Sequence, residues 1–133
     1  MTDKYALPSA QAWFAIAERD VRSARILLQA DPPVTEAAAF HCQQAAEKYL
    51  KGILAYHAVS PPGSSEIGLL LDQVHPHTKI FEPHRPDGEQ LTVFSLEKRS
   101  HVVVDPPSVD EASSALQTAE RFQEIATGMI QEK

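Results

Sequence analysis

Residues 37–54 have the sequence AAAFHCQQAAEKYLKGIL, and this stretch decides the fold of the chain. At 100° per residue its apolar side chains fall on one side of a helix, and Thr35 with Glu36 supplies a suitable start. The side so formed holds Ala38, Cys42, Ala45, Ala46, Tyr49, Ile53 and Tyr56. Its three alanines allow another helix to approach closely. The pattern predicts a helix near 35–58.

The other side of the same helix carries a second, mostly polar stripe. Phe40, Gln44, Glu47 and Lys51 recur at i, i+4, i+7 and i+11, with His41 and Lys48 beside them. Glu47 precedes Lys51 by four residues, the favourable order for an ion pair along a helix. A phenylalanine within a polar stripe indicates a face that meets something other than bulk water.

Ten prolines and five glycines divide the rest of the chain. Proline interrupts helices because it lacks the amide hydrogen and clashes with the preceding turn. Three long runs without proline, 9–31, 34–60 and 108–133, therefore predict helices near 9–30, 35–58 and 108–130. At 133 residues the chain has room for one domain over 1–133, with a core at about 9–130.

The first predicted helix starts at Ser9, a good N-cap after Pro8. Its expected buried face holds Trp13, Ile16, Ala17, Ala24, Leu27 and Leu28. Asp20 lies on this face, which leaves two interpretations. Its carboxylate reaches water or a neighbouring lysine, or it forms a structural network with the charges of the second helix.

The last helix is the most clearly marked element. Ser108 and Glu111 form an S-x-x-E capping box, and an apolar stripe follows it. The stripe comprises Ala112, Ala115, Leu116, Ala119, Phe122, Ala126 and Met129.

The middle of the chain carries weaker signals. We expect a short helix over 64–74, a loop over 75–87, a helix over 88–101 and an extended segment at 102–104. No segment alternates with period 2, so the prediction is an all-α, up-and-down helical bundle of four to five helices.

Composition excludes several classes of protein. Twelve basic against eighteen acidic residues give a net charge of −6, which disfavours unspecific duplex-DNA binding. We also expect no specific DNA binding. No secretory signal and no stretch of about 18 apolar residues is visible, which predicts a cytoplasmic protein with no membrane contact. Cys42 has no cysteine to pair with and is expected to be a buried, unreactive thiol.

The candidates for cofactor chemistry are weak. His75, His77 and His84 admit a metal site, but a solvated loop is the favoured interpretation. The segment 61–65 lacks the glycines and lysine of a phosphate-binding loop. We therefore expect no metal and no cofactor.

The run Phe40-His41-x-Gln43-Gln44-Ala45-Ala46-Glu47-Lys48-x-Leu50-Lys51 resembles the signature helix of HEPN (higher eukaryotes and prokaryotes nucleotide-binding) domains. In that family it follows a helix built around W-x6-D-x3-A, matched here by Trp13, Asp20 and Ala24. The resemblance spans about residues 10–128 and is weakest from 64 to 105. There Arg99 is kept, but Ser100-His101-Val102 replaces the family's Y-P-D.

The resemblance implies a prokaryotic helical bundle that forms a homodimer. Many members are ribonuclease toxins or RNA-binding proteins, often paired with a nucleotidyltransferase-like antitoxin. The ribonucleases carry Arg-x4-6-His, in which Arg holds the phosphate and His transfers a proton. No arginine of this chain has a histidine at that spacing. Arg99 and His101, two residues apart, are the remaining catalytic candidates.

The absence of the Arg-x4-6-His motif favours a non-catalytic binding and assembly module for RNA or a nucleotide. The resemblance implies a toxin–antitoxin setting with a nucleotidyltransferase partner for such a module. A metal-independent ribonuclease with a rearranged site at Arg99 and His101 is one alternative. A purely structural dimeric domain is another. The candidate binding residues are Asp20, His41, Gln44, Glu47, Lys48, Lys51 and Arg99.

Overall fold

A computed structural model describes residues 5–95 and 105–131 and consists there of helices without strands. Within these two ranges the α-helices are α1 (Ala6–Gln29), α2 (Thr35–Tyr56), α3 (Ile67–Val74), α4 (Arg85–Gln90) and α5 (Val109–Gln131). Two 3-10 turns, Glu82–His84 and Leu91–Phe94, flank α4. The predicted all-α bundle is confirmed. No helix in these two ranges is both long and apolar enough to cross a bilayer.

Three long helices build the core. α1 packs along the length of α2, and α5 packs against both. The α2 stripe predicted from residues 37–54 is buried as expected, apart from the partly exposed Tyr56. Small residues bring the helices together: Gly52 of α2 lies directly against the ring of Phe14. α3 and the 3-10 turn Leu91–Phe94 also pack against α2, and α4 packs against α3.

The start and the buried face of α1 differ from the prediction. The helix begins at Ala6 rather than at Ser9, and Pro8 lies in its first turn, where a missing amide hydrogen breaks no helical bond. Phe14 and Val21 lie on the buried face, whereas Ile16 is 37% exposed. Ala10, Ala17 and Ala24, which recur every seven residues, are fully buried along this face.

Capping hydrogen bonds are formed at the start of α5 and at the end of α2. At the start of α5 the Ser108 amide donates to Glu111 Oε1 at 2.8 Å and the Glu111 amide donates to Ser108 Oγ at 3.0 Å, which confirms the capping box. At the end of α2 the amides of Ala58 and Val59 donate to the carbonyls of Ala55 and Leu54. This is a Schellman motif with Ala58 in the left-handed region at φ 60°.

The middle of the chain departs most from expectation. α3 begins at Ile67, three residues later than predicted. The segment expected to be a loop, 75–87, contains the 3-10 turn Glu82–His84 and the start of α4, because prolines stand in both first turns. The helix predicted over 88–101 is instead α4 followed by the 3-10 turn at Leu91–Phe94. Residues 96–104, with the segment predicted to be extended at 102–104, lie outside the described residues.

Candidate functional site

The polar side chains of the signature helix gather with two residues of α1 at one edge of the bundle. We call this group the α1–α2 polar cluster. It comprises Trp13, Asp20, His41, Gln43, Gln44, Glu47, Lys48 and Lys51.

Asp20 and His41 link the two helices. The Asp20 carboxylate oxygen Oδ1 lies 2.8 Å from His41 Nδ1, so a protonated Nδ1 donates to it. Burial raises the pKa of Asp20 above its ordinary value, and the contact with His41 offsets part of that effect. His41 remains partly exposed, and its ring packs edge-to-face against Phe40 at 5.5 Å. Asp20 therefore fixes the orientation of a histidine at the surface.

Glu47 is the centre of the cluster. Its Oε2 accepts from Lys48 Nζ at 2.9 Å and from Lys51 Nζ at 3.0 Å. Glu47 is only 3% exposed and Lys51 only 7%. Burial acts to raise the pKa of Glu47, but the two ammonium groups lower it further than burial raises it, and the carboxylate stays ionised. Both ammonium groups also lie over the Trp13 ring, 5.9 and 5.8 Å from its centroid.

Gln43 belongs to this cluster although it is not among the binding residues predicted from the sequence. It is fully buried, donates to Glu47 Oε1 at 3.3 Å and accepts from Gln44 at 3.0 Å. It also donates to the backbone carbonyl of Ser65 at 2.9 Å. Gln43 thus ties the connection between α2 and α3 to α2. The sequence signal is the pair of consecutive glutamines, whose side chains point in directions about 100° apart on a helix. Gln43 is buried, and Gln44 reaches the surface.

Six of the seven predicted binding residues come together in the cluster, but they differ in accessibility. His41, Gln44 and Lys48 reach the surface and Asp20 does so slightly, whereas Glu47 and Lys51 are buried. Arg99, the seventh, lies outside the described residues, as does the other catalytic candidate, His101. The cluster offers hydrogen-bonding edges at its rim around an internally neutralised centre.

A second group of charged residues surrounds Arg85 at the start of α4. Its guanidinium contacts Glu82 at 2.9 Å, Asp72 at 3.1 Å and Glu89 at 3.3 Å. His75 Nδ1 lies 3.1 Å from the same Glu82. Hydrogen bonding from Arg85 lowers the pKa of Glu82 to about 2. The arrangement joins α3 to α4 and leaves the guanidinium enclosed by carboxylates.

The described residues offer little for metal or nucleophilic chemistry. Within 5–95 and 105–131 no three His, Cys, Asp or Glu side chains are grouped to hold a metal ion. His77 stacks on His57 with centroids 4.7 Å apart, while His75 contacts Glu82. Cys42 is buried in the core, and burial raises its pKa to about 12, so it carries no thiolate at neutral pH.

A cavity of about 520 Å³ opens between the 3-10 turn at Leu91–Phe94 and the start of α5. Its floor includes Leu91, Phe94 and Ala115, and its rim carries acidic side chains, Asp87, Asp110 and Glu111. Three carboxylates disfavour a phosphate ligand there.

The comparisons agree with this architecture. The family model of the HEPN domain matches residues 10–129. No curated protein sequence matches the chain significantly. The crystal structure of an archaeal HEPN homologue superposes with a TM-score of 0.72 at 23% sequence identity, over 91% of this chain and 97% of that one. This structural likeness establishes a shared fold.

Proposed function

The chain belongs to the HEPN domain family, and from this premise we propose that it is a non-catalytic binding and assembly module that engages RNA or a nucleotide as a homodimer. The observation that carries the proposal is the pairing of its charged groups. Glu47 forms ion pairs with both Lys48 and Lys51 within the fold. They hold α2 to its neighbours instead of presenting a reactive group.

The surroundings of Arg85 support the same proposal. A ribonuclease of this family needs an arginine free to hold a phosphate beside a histidine free to transfer a proton. His75 and Arg85 do lie in one group, but three carboxylates surround the guanidinium. Those carboxylates would repel a phosphodiester at this place.

The accessible rim of the α1–α2 polar cluster is the proposed ligand contact. His41 and Gln44 offer ring-nitrogen and amide edges that suit a base, and Lys48 adds an ammonium group. These groups are held in position by the less exposed members of the cluster, Asp20, Glu47 and Lys51. Arg99 is also part of the proposed ligand contact.

The proposal extends to a nucleotidyltransferase-like protein partner in a toxin–antitoxin pair, on the ground of family membership. The cavity rimmed by Asp87, Asp110 and Glu111 suits basic side chains of such a partner better than it suits a nucleic acid. Co-expression with a nucleotidyltransferase encoded beside this chain, followed by co-purification, tests this extension. Separate elution of the two proteins would contradict it.

The decisive functional test is cleavage of mixed-sequence RNA without divalent metal, with wild type beside an Arg99→Ala, His101→Ala double variant. We expect RNA to remain intact with both proteins, and we expect the double variant to fold and to bind RNA more weakly than wild type, because Arg99 belongs to the proposed contact. Cleavage by wild type that disappears in the double variant would establish the alternative ribonuclease. A dimer that binds neither RNA nor mononucleotides would instead support the alternative of a purely structural dimeric domain.

A further inference from the structure

The outward face of α1 carries positive charge in a chain whose net charge is −6. This face consists of exposed residues that follow one another at helical spacing: Ala12, Ala15, Ile16, Arg19, Arg22 and Ile26. The exposed Glu18 borders it four residues before Arg22, so the two arginines leave the face with an excess of positive charge. Arg19 and Arg22 are one turn apart, a rise of about 4.5 Å along the helix, so their side chains are neighbours.

Among the lysines and arginines of the described residues, only these two neighbouring arginines and the isolated Lys79 contact no carboxylate. Arg25 contacts Glu120 at 2.7 Å, Arg121 contacts Glu124 at 3.1 Å, and three carboxylates surround Arg85. Lys48 and Lys51 are bound to Glu47. Within residues 5–95 and 105–131, neither Arg19 nor Arg22 contacts a carboxylate. The fold has no evident structural use for them.

We propose that Arg19 and Arg22 bind successive phosphates of a single-stranded RNA that lies along the outward face of α1. This inference rests on the proposed function and gives it a phosphate-binding surface. Guanidinium groups bind phosphate through paired, charge-assisted hydrogen bonds. Ala12 and Ala15 leave room for a backbone beside them, and Ile16 and Ile26 offer apolar contact for sugars and bases.

The face borders the proposed ligand contact, because Ile16 lies one helical turn before Asp20 on α1. Arg19 precedes Asp20, whose carboxylate holds His41 on α2 at 2.8 Å. A strand held by the two arginines can therefore place a base against His41 and Gln44. Phosphate contact on α1 supplies affinity, and the edges on α2 supply base contact.

The test measures binding of a short fluorescein-labelled oligouridylate by fluorescence anisotropy at several salt concentrations. The variant Arg19→Ala, Arg22→Ala is compared with Lys79→Ala, Arg121→Ala, which removes the same two positive charges from other exposed positions. We expect the first variant to bind about tenfold more weakly and its dependence of log K on log salt to flatten by about 1.4. The control variant should bind nearly as wild type does.

The outcomes separate this inference from the function on which it rests. Absence of RNA binding by wild type would overturn both. Wild-type binding that persists in the Arg19→Ala, Arg22→Ala variant, or that falls equally in the control, would overturn the α1 surface alone. Circular dichroism verifies that both variants fold. Loss of the dimer by light scattering in the first variant would also overturn the inference, because the face would then bind a second copy.

Discussion

At the scale of single residues, the signature motif supplies charges that the fold then encloses. Glu47 is almost fully buried, yet two ammonium groups and the Gln43 amide satisfy it. Buried ions are tolerated when each has its partner, and removal of one partner leaves the other without compensation. The α1–α2 polar cluster should therefore tolerate changes at its rim far better than changes at Glu47.

Replacement of Glu47 by glutamine should lower the free energy of unfolding by about 3–5 kcal/mol, because Lys51 stays buried without a counter-charge. Urea denaturation at neutral pH measures this loss. The matched control is Glu124→Gln, which breaks the exposed contact with Arg121 and should cost under about 1 kcal/mol. A double variant, Glu47→Gln with Lys51→Met, should recover much of the loss. Equal effects of Glu47→Gln and Glu124→Gln would contradict the account.

The pH dependence of the Glu47 contribution follows from its lowered pKa. Because the folded pKa lies below the ordinary value of 4.5, the stabilisation is fully present above pH 4.5. It is lost as pH falls through the folded pKa. The stability difference between wild type and Glu47→Gln should thus shrink in acid; a difference that grows there would contradict the assigned shift.

Asp20 should show the opposite sign. Burial raises the pKa of Asp20 above its ordinary value of 3.8. In the pH interval between that value and the folded pKa, the folded state binds more protons than the unfolded state. Its contribution to stability therefore falls as pH rises through that interval. Asp20→Asn, which keeps an oxygen acceptor for His41, should be at least as stable as wild type at neutral pH. The gain in stability of Asp20→Asn over wild type should disappear as pH falls through the folded pKa of Asp20, because the wild-type carboxylate is then protonated and neutral.

The companion variant Asp20→Ala removes the acceptor and should cost about 1 kcal/mol. Thermal unfolding across a pH series measures both variants. If Asp20→Ala melts as wild type does, the contact between Asp20 and His41 contributes nothing to the fold. An Asp20→Asn variant that is less stable than Asp20→Ala would contradict the assigned burial effect.

At the scale of helices, local pattern predicted the long elements closely. α2 was expected over 35–58 and ends at Tyr56; α5 was expected over 108–130 and runs from Val109 to Gln131. These helices have periodic apolar faces and local start signals, which act within a few residues. α1 was predicted less well because its buried face depends on which alanines contact α2, a property of the pair of helices.

The burial of the polar stripe of α2 could not be predicted from the sequence, because it depends on segments that are distant along the chain. The stripe with Glu47 and Lys51 was expected opposite the core face, yet both residues are buried. Trp13 of α1 lies beside their charges, and the chain near Ser65 is tied to the same face through Gln43. Helical periodicity contains no information on a segment that returns from elsewhere. The acids around Arg85 likewise come from three elements.

The contact between α1 and α2 predicts opposite effects for one substitution at two helical glycines. A Cβ at Gly52 would overlap the Phe14 ring, so Gly52→Ala should cost about 1–3 kcal/mol although alanine favours helix. A Cβ at Gly128 of α5 would meet open space, so Gly128→Ala should gain about 0.5–1 kcal/mol. Denaturant titration measures both. Stabilisation by Gly52→Ala would show that the helices are not in close contact there.

At the scale of the whole molecule, the bundle combines an acidic exterior with separate local surfaces. The HEPN family model matches residues 10–129, which contain α2 in full and nearly all of α1 and α5. Arg19 and Arg22, which contact no carboxylate of residues 5–95 and 105–131, lie along α1, and the acidic cavity lies between Leu91–Phe94 and α5. This separation suits a module that holds a polyanion at one surface and leaves the acidic surface for a basic partner.

Native mass spectrometry of the protein mixed with a mixed-sequence RNA oligonucleotide, without divalent metal, tests the central claim most directly. It reports the number of chains and the mass of bound RNA in a single spectrum. The account predicts two chains with RNA of unchanged mass. A monomer, a dimer that carries no RNA, or RNA fragments generated by the wild-type protein would contradict it.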